Sequence, residues 1–368
     1  MKKRLKPTLP AFGMSALALV IAMPAAAQGV VNVFNWSDYI TDEVLERFTE
    51  ETGIRVVYDV FDSNDTLEAR LLAGASGFDV VVPTATFMQR QIAAGVYQPL
   101  DREQLPNWDN MDPDLMAAAA DHDPDNEHGV IYMWGTTGIG YNIDMVAERL
   151  GEDFEVDTWA MIFDPEIASQ LADCGISWLD SPTDMFPAAF AWMGLDPQST
   201  DPADFEAATE MMLAAREHVR YFHNSQYITD LANGETCVAV GWSGDVLQAA
   251  DRAEQADRGV NVWYAIPREG AMQWFDMMAI PVDAPNPENA HAFINFIMEP
   301  EITAMITNYV WFPNANAASW EFVEEEIFTD PAIFPTPEVS ETLFTGVTYD
   351  GRTDRVVTRL WTRVRTGQ

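Results

Sequence analysis

The alternation of short β-rich runs with amphipathic helical stretches over residues 30–82 constrains this chain more than any other feature. Residues 30–34 form a β-rich apolar run, and Asn35-Trp36-Ser37-Asp38-Tyr39 follows it. Thr41 then stands where it can cap a helix with apolar positions Val44, Leu45 and Phe48, and Gly53 stops that helix. Residues 54–61 read as a second strand and residues 65–73 as a helix with Leu67, Leu71 and Leu72 on one face. Residues 78–82 read as a third strand, ended by Pro83. Strand, helix, strand, helix, strand is the rhythm of a parallel α/β sheet, because each helix must carry the chain back to the same end of the sheet. Ligands in such sheets sit beyond the carboxyl ends of the strands. Residues 36–39 and Thr84 fall there.

The rest of the chain repeats this α/β character without repeating its sequence. Residues 131–142 are extended and punctuated by glycine, as a crossing between lobes would be. A helix around 208–216, a strand at 236–240, a loop at 241–245, strands at 262–266 and 275–280, and an amphipathic helix at 288–298 follow. The length exceeds that of one ordinary domain. With no low-complexity linker, the two lobes are expected to exchange segments. The division expected is residues 28–134 with 260–300 in one lobe and 135–259 with 301–368 in the other.

Residues 1–27 read as a Sec signal peptide: Lys2, Lys3, Arg4 and Lys6, then an apolar stretch, then Ala25-Ala26-Ala27 before Gln28. The apolar run is too short for a stable membrane span. No cysteine stands at the expected cleavage site, so a free periplasmic protein is expected instead of a lipid-anchored one. Cys174 and Cys237 would then both reach an oxidising compartment, where a disulfide is the natural reading and two buried thiols the alternative. Of 20 Lys and Arg residues, four lie in the leader, leaving 16 arginines against 58 acids and a formal charge of −42. Such a field repels nucleic acid and anionic lipid. A surface this acidic and free of lysine reflects a saline habitat more readily than a ligand.

Catalytic patterns are poorly supported. Gly241-Trp242-Ser243-Gly244-Asp245 resembles a nucleophile elbow but has Asp where the strained turn needs its last glycine. The histidines, His122, His128, His218, His223 and His291, show no metal-ligand spacing. Residues 121–132 begin like a calcium loop, yet carry Asn126 at the sharp turn and Tyr132 where a bidentate acid belongs. Gly138-Ile139-Gly140 carries almost no information. No enzyme activity, cofactor or metal is expected.

Aromatic residues beside acids stand out instead: Trp36 with Asp38 and Tyr39, Trp242 with Asp245, and Trp274 with Asp276, each read as a loop following a strand. An ammonium taken out of water must recover its solvation from carboxylates and hydroxyls. Its methylene chain prefers aromatic faces, which also attract the positive ends. A single Trp-Asp neighbour is more often core or surface; three at strand ends shift the balance towards an organic cation.

At these residues the sequence closely resembles the periplasmic putrescine- and spermidine-binding proteins of polyamine ABC transporters. The blocks that carry the resemblance are residues 35–40, 57–64, 77–83, 132–142 and 230–234. It implies a type II periplasmic binding fold, two α/β lobes joined by hinge strands with a ligand cleft between them. It also implies an aromatic box of Trp36, Trp242, Trp274 and Phe312, ammonium-holding acids Asp245 and Asp276, and lining polar residues Ser37, Asp38, Tyr39 and Thr84. Asp184 stands where the family often has glutamate, shortening the reach by one methylene, and Phe312 where it often has tyrosine. Cys174 and Cys237 occupy the positions of a disulfide in close relatives. The implied partners are a polyamine and an inner-membrane ABC permease, with the protein a monomer. Two readings compete: a sensor that binds polyamine and reports to a receptor, and the same fold binding another small solute. An amino-acid site needs an arginine for the carboxylate, and no site candidate is one.

Overall fold

The computed structural model describes residues 29–368, so the leader read over residues 1–27 lies outside the described residues. Among the described residues there are ten strands: β1 Gly29–Trp36, β2 Ile54–Phe61, β3 Val80–Val81, β4 Gly129–Asn142, β5 Ile176–Trp178, β6 Val219–Phe222, β7 Val238–Trp242, β8 Val262–Ala265, β9 Ala271–Ala279 and β10 Leu343–Thr345. Their order is β2-β1-β3-β9-β4-β7-β5-β6, with β8 on β4 and β10 on β9. β1, β2 and β3 are parallel, as the alternation requires. β9 enters antiparallel between β3 and β4.

Local signals act where they stand. Thr41 caps the helix Asp42–Thr52, its side chain accepting from the Val44 N–H, and Gly53 ends it in the left-handed conformation at φ 72°. The next helix, Asn64–Leu72, buries Leu67 and Leu71 against the sheet; Leu72, expected on the same face, is 58% exposed. At about 100° per residue Leu71 lies about 40° round the helix from Leu67 and Leu72 about 140°, which carries Leu72 out of the apolar stripe. The strand expected at 78–82 makes ladder pairs only at Val80 and Val81. In the segment read against a calcium loop, the Asp123 carboxylate accepts the N–H groups of His128 and Gly129 and bonds the His128 ring.

Two hydrophobic cores result. The first gathers β1–β3, the Gly129–Trp134 part of β4 and β9; the second gathers Ile139 and Tyr141 of β4 with β5–β8 and the C-terminal helix Gly351–Thr366. β4 serves both, pairing β9 through Thr136 and β7 from Thr137 onward. Packing divides the chain differently from the sequence boundaries at two places. β8, expected with the first lobe, ladders on Tyr141 and Asn142 of β4 and puts Val262 and Tyr264 in the second core. Helix Pro300–Val310, expected with the second lobe, turns Ile302, Ile306 and Val310 into the first core, and Phe312 and Ala315 follow.

A disulfide joins Cys174 to Cys237, with Cα atoms 5.4 Å apart. It ties the residues that lead into the parallel neighbours β5 and β7, where Gly175 C=O also accepts the N–H groups of Cys237 and Val238.

Candidate functional site

A cavity of about 490 Å3 lies between the two cores. Its first wall comes from the last residue of β1 and the chain just past it: Trp36, Ser37 and Tyr39. The Trp36 indole N–H donates to Val82 C=O (2.9 Å), which anchors the ring to the end of β3. Thr84, at the N-cap of helix Ala85–Ala93, lines the same side. Trp274 and Asp276 line it from within β9, the strand read at 275–280, and not from a loop that follows a strand. They are two residues apart in an extended strand and so face the same way.

The second wall carries Asp184, Trp242 and Asp245. Trp242 ends β7, and Asp245 lies in the first turn of helix Ser243–Ala256, where a loop was expected at 241–245. Ser243, the serine of the elbow-like motif, is buried and accepts the Thr136 N–H at the lobe crossing. Phe312 closes the cavity; its ring packs edge-on against Tyr39 and Trp274, with centroids 5.3 Å apart in both pairs. Trp36 and Trp242 meet across the cleft at 5.7 Å.

The sequence candidates thus converge, with one exception. Asp38 turns away at a positive φ of 55° and is 42% exposed, forming an ion pair with Arg252 at 3.0 Å. Aspartate is among the residues that tolerate that conformation. Because Arg252 belongs to helix Ser243–Ala256, the pair bridges the lobes at the rim of the cleft instead of contributing a cavity wall.

The buried acids of the cavity, Asp184, Asp245 and Asp276, differ in how fully protein donors satisfy them. Asp184 accepts from Thr137 (2.6 Å), from the Trp242 indole (3.2 Å) and from Ser181. Asp276 accepts from Thr84 (2.7 Å) and Tyr39 (3.0 Å). Asn64 donates to the Thr84 hydroxyl at 2.9 Å, which leaves that hydroxyl's own hydrogen for Asp276. Asp245 accepts from Tyr227 (2.8 Å), whose oxygen in turn accepts the Trp242 N–H. Burial raises all three carboxyls. Asp276 is pushed to about 7, with Asp184 and Asp245 adding repulsion; Asp245 is also pushed to about 7, with Asp38 raising it and Arg252 lowering it. Asp184 is raised by burial and lowered by its three donors. A helix N-terminus favours an anion at Asp245, but desolvation outweighs it.

Sequence reading missed Tyr227, Thr137 and Arg252, which lie 18, 47 and 214 residues from the acids they serve and carry no local signal. Ser181 had one: Ser181-Pro182-Thr183-Asp184 has a helix-start spacing with an acid three residues after the cap. Its hydroxyl is turned to Asp184 and not to a backbone N–H.

A cleft of this kind, built on two α/β lobes, has known counterparts. The family model of bacterial extracellular solute-binding proteins matches residues 43–336. The chain belongs to that family. It is 52% identical to the putrescine-binding periplasmic protein SpuD of Pseudomonas aeruginosa, over 97% of this chain and 99% of that protein. It is 48% identical to the putrescine-binding periplasmic protein PotF of Escherichia coli, over 96% and 95%. Among solved structures, a putative spermidine/putrescine ABC transporter protein from Listeria monocytogenes superposes with a TM-score of 0.83 at 29% identity, covering 92% of this chain and 99% of that one. The resemblance read from the sequence blocks and the periplasmic-binding-protein fold it implied are both borne out by these matches.

Proposed function

We propose that this family member is a periplasmic solute-binding protein that captures a polyamine, putrescine or spermidine, between its lobes and delivers it as a monomer to an inner-membrane ABC permease, doing no chemistry itself. The observation that carries this reading is the electrostatic state of the cavity. Asp184, Asp245 and Asp276 are buried beside four aromatic rings, and their partners are hydroxyl and indole groups, which donate hydrogen bonds without supplying charge. A cationic ligand supplies what these donors lack. Ammonium groups would engage Asp245 and Asp276, and the alkyl chain would lie among Trp36, Trp242, Trp274 and Phe312. Ser37, Tyr39, Thr84 and Asp184 would complete the lining, with Asp38 acting from the rim. The relatives named above as putrescine-binding support the same ligand class.

Calorimetric titration of the mature protein should give one polyamine per chain. At a free concentration a hundredfold above Kd, the ligand should stabilise the folded state by about 2.7 kcal/mol and raise the melting temperature by about 4 °C. An unchanged melting temperature with putrescine, cadaverine, spermidine and spermine alike would refute the proposal.

Binding should also be coupled to protons. The ligand needs Asp245 and Asp276 ionised, whereas the ligand-free protein holds their protons up to about pH 7. Below that pH each acid must lose a proton as the dication enters, so affinity falls on acidification by up to about tenfold per pH unit for each acid. Between pH 7 and the titration of the ammonium groups, near 10 for an ordinary alkylamine, affinity should be level. Titrations at pH 5, 6, 7 and 8 in two buffers of different ionisation enthalpy would measure both the slope and the released protons. Flat affinity from pH 5 to 8 would exclude the coupling.

A further inference from the structure

β4 and β9 pair antiparallel with Gly135 directly opposite Trp274. Residues opposite one another in such a ladder project from the same face with Cβ atoms about 5 Å apart. Gly135 has nothing to project, and the Trp274 indole lies across the space its side chain would take. A Cβ at residue 135 would fall 2.7 Å from Trp274 Cζ2, 2.9 Å from Cη2 and 3.0 Å from Cδ1 of Phe312. Two of the four aromatic walls therefore rest on this one bare position. Phe312 has no retreat on its other side. It lies against Gly244, where an added Cβ would stand 2.5 Å from its Cγ and Cδ2. The open volume in front of both rings is the cavity they line.

Backbone conformation does not explain this glycine. Gly135 is absent from the residues with positive φ and sits inside a long strand, where alanine is ordinarily the more stable residue. What glycine supplies here is room.

We propose that Gly135 is a specificity-determining residue: by leaving its face of β4 bare it sets the separation of the aromatic walls, and so the thickness of alkyl chain that the box admits. This rests on the polyamine reading of the cavity and adds a selection by cross-section, an unbranched chain against a branched or N-alkylated one, to any selection by length. Adding a single methyl group at residue 135 overpacks the contact. Trp274 and Phe312 must move into the cavity, and the box narrows.

The test uses the full mature protein, Gly135→Ala, Trp274→Phe and their combination, titrated with putrescine and with 2-methylputrescine. Gly135→Ala should weaken putrescine binding about tenfold, weaken the branched diamine further, and keep a ligand-free melting temperature near that of the parent. Phenylalanine at residue 274 lacks the ring that carries Cζ2 and Cη2, so Gly135→Ala should cost far less in the Trp274→Phe background than alone. Parental affinity for both diamines in a folded Gly135→Ala protein, or equal losses in the two backgrounds, would overturn the proposal. If Gly135→Ala alone does not fold, the combined variant decides. Binding comparable to Trp274→Phe supports the proposal, and folded protein that binds much more weakly refutes it. A parent that binds no polyamine would instead refute the ligand reading. The crystal structure of ligand-free Gly135→Ala then still decides the geometry, since a Trp274 ring unmoved from its parental position is the result that excludes it.

Discussion

Asp276→Asn is expected to weaken putrescine binding by about 3–5 kcal/mol, two to three orders of magnitude or more, because it leaves a buried ammonium without its counter-charge. The amide has nearly the shape of the acid, so box and cleft should persist. Asp245→Asn should cost a comparable amount for the same reason. Asp38→Asn should cost less than about 1 kcal/mol, since Asp38 is 42% exposed in a rim pair with Arg252, where solvent screens the loss. Folding of the variants has its own readout. The raised carboxyl of Asp276 means that the ligand-free native state holds a proton the unfolded chain has already lost between about pH 4 and 7, so stability falls as pH rises through that window. Asp276→Asn removes this penalty and should melt at or above the parent at pH 8 without ligand. Calorimetry on the three variants beside their melting curves measures both effects, and equal affinity losses at residues 276 and 38 would overturn the assignment of the acids.

Replacing both cysteines is expected to lower stability by about 4 kcal/mol, the chain-entropy value for a loop of this length, while leaving polyamine affinity nearly unchanged. The Cys174–Cys237 bond closes a sequence separation of 63 residues and holds the lead-in segments of β5 and β7 together. Its loss frees the unfolded chain more than it disturbs the native one. A change of 4 kcal/mol is a large share of an ordinary folding free energy, so the melting temperature should fall clearly. Neither sulfur lines the cavity, and the second-wall acids Asp184 and Asp245 are set by the helices Pro182–Met193 and Ser243–Ala256. The measurement is a Cys174→Ser, Cys237→Ser protein, melted by calorimetry and titrated with putrescine at a temperature where it remains folded. A variant that is folded but unable to bind would show that the disulfide shapes the site.

Features that act over a few residues or through repeated pattern were legible in the chain before any packing was known. Thr41 and Gly53 bound the first helix because a cap and a left-handed stop involve only neighbouring backbone groups. β1 and β2 fall where the apolar runs stand, and the aromatic-acid neighbours mark segments that reach the cleft. Which acids face the cavity, and what holds them, followed from the packing of the two lobes. Asp38 and Tyr39 are adjacent, yet one turns to the rim through a left-handed backbone while the other donates to Asp276. Trp274 and Asp276 come from the middle of a strand inserted antiparallel between β3 and β4, which the alternation of strands and helices gives no means to foresee. Tyr227 meets Asp245 because helix Gln226–Ala232 packs on helix Ser243–Ala256, Gly135 lies beneath Trp274 by sheet register, and β8 and helix Pro300–Val310 joined cores by ladder and apolar face instead of by chain order. Caps and periodicity are local in sequence, whereas a buried carboxylate is satisfied by whichever donors the packed sheets bring within about 3 Å, and that distance is fixed only once both lobes have formed.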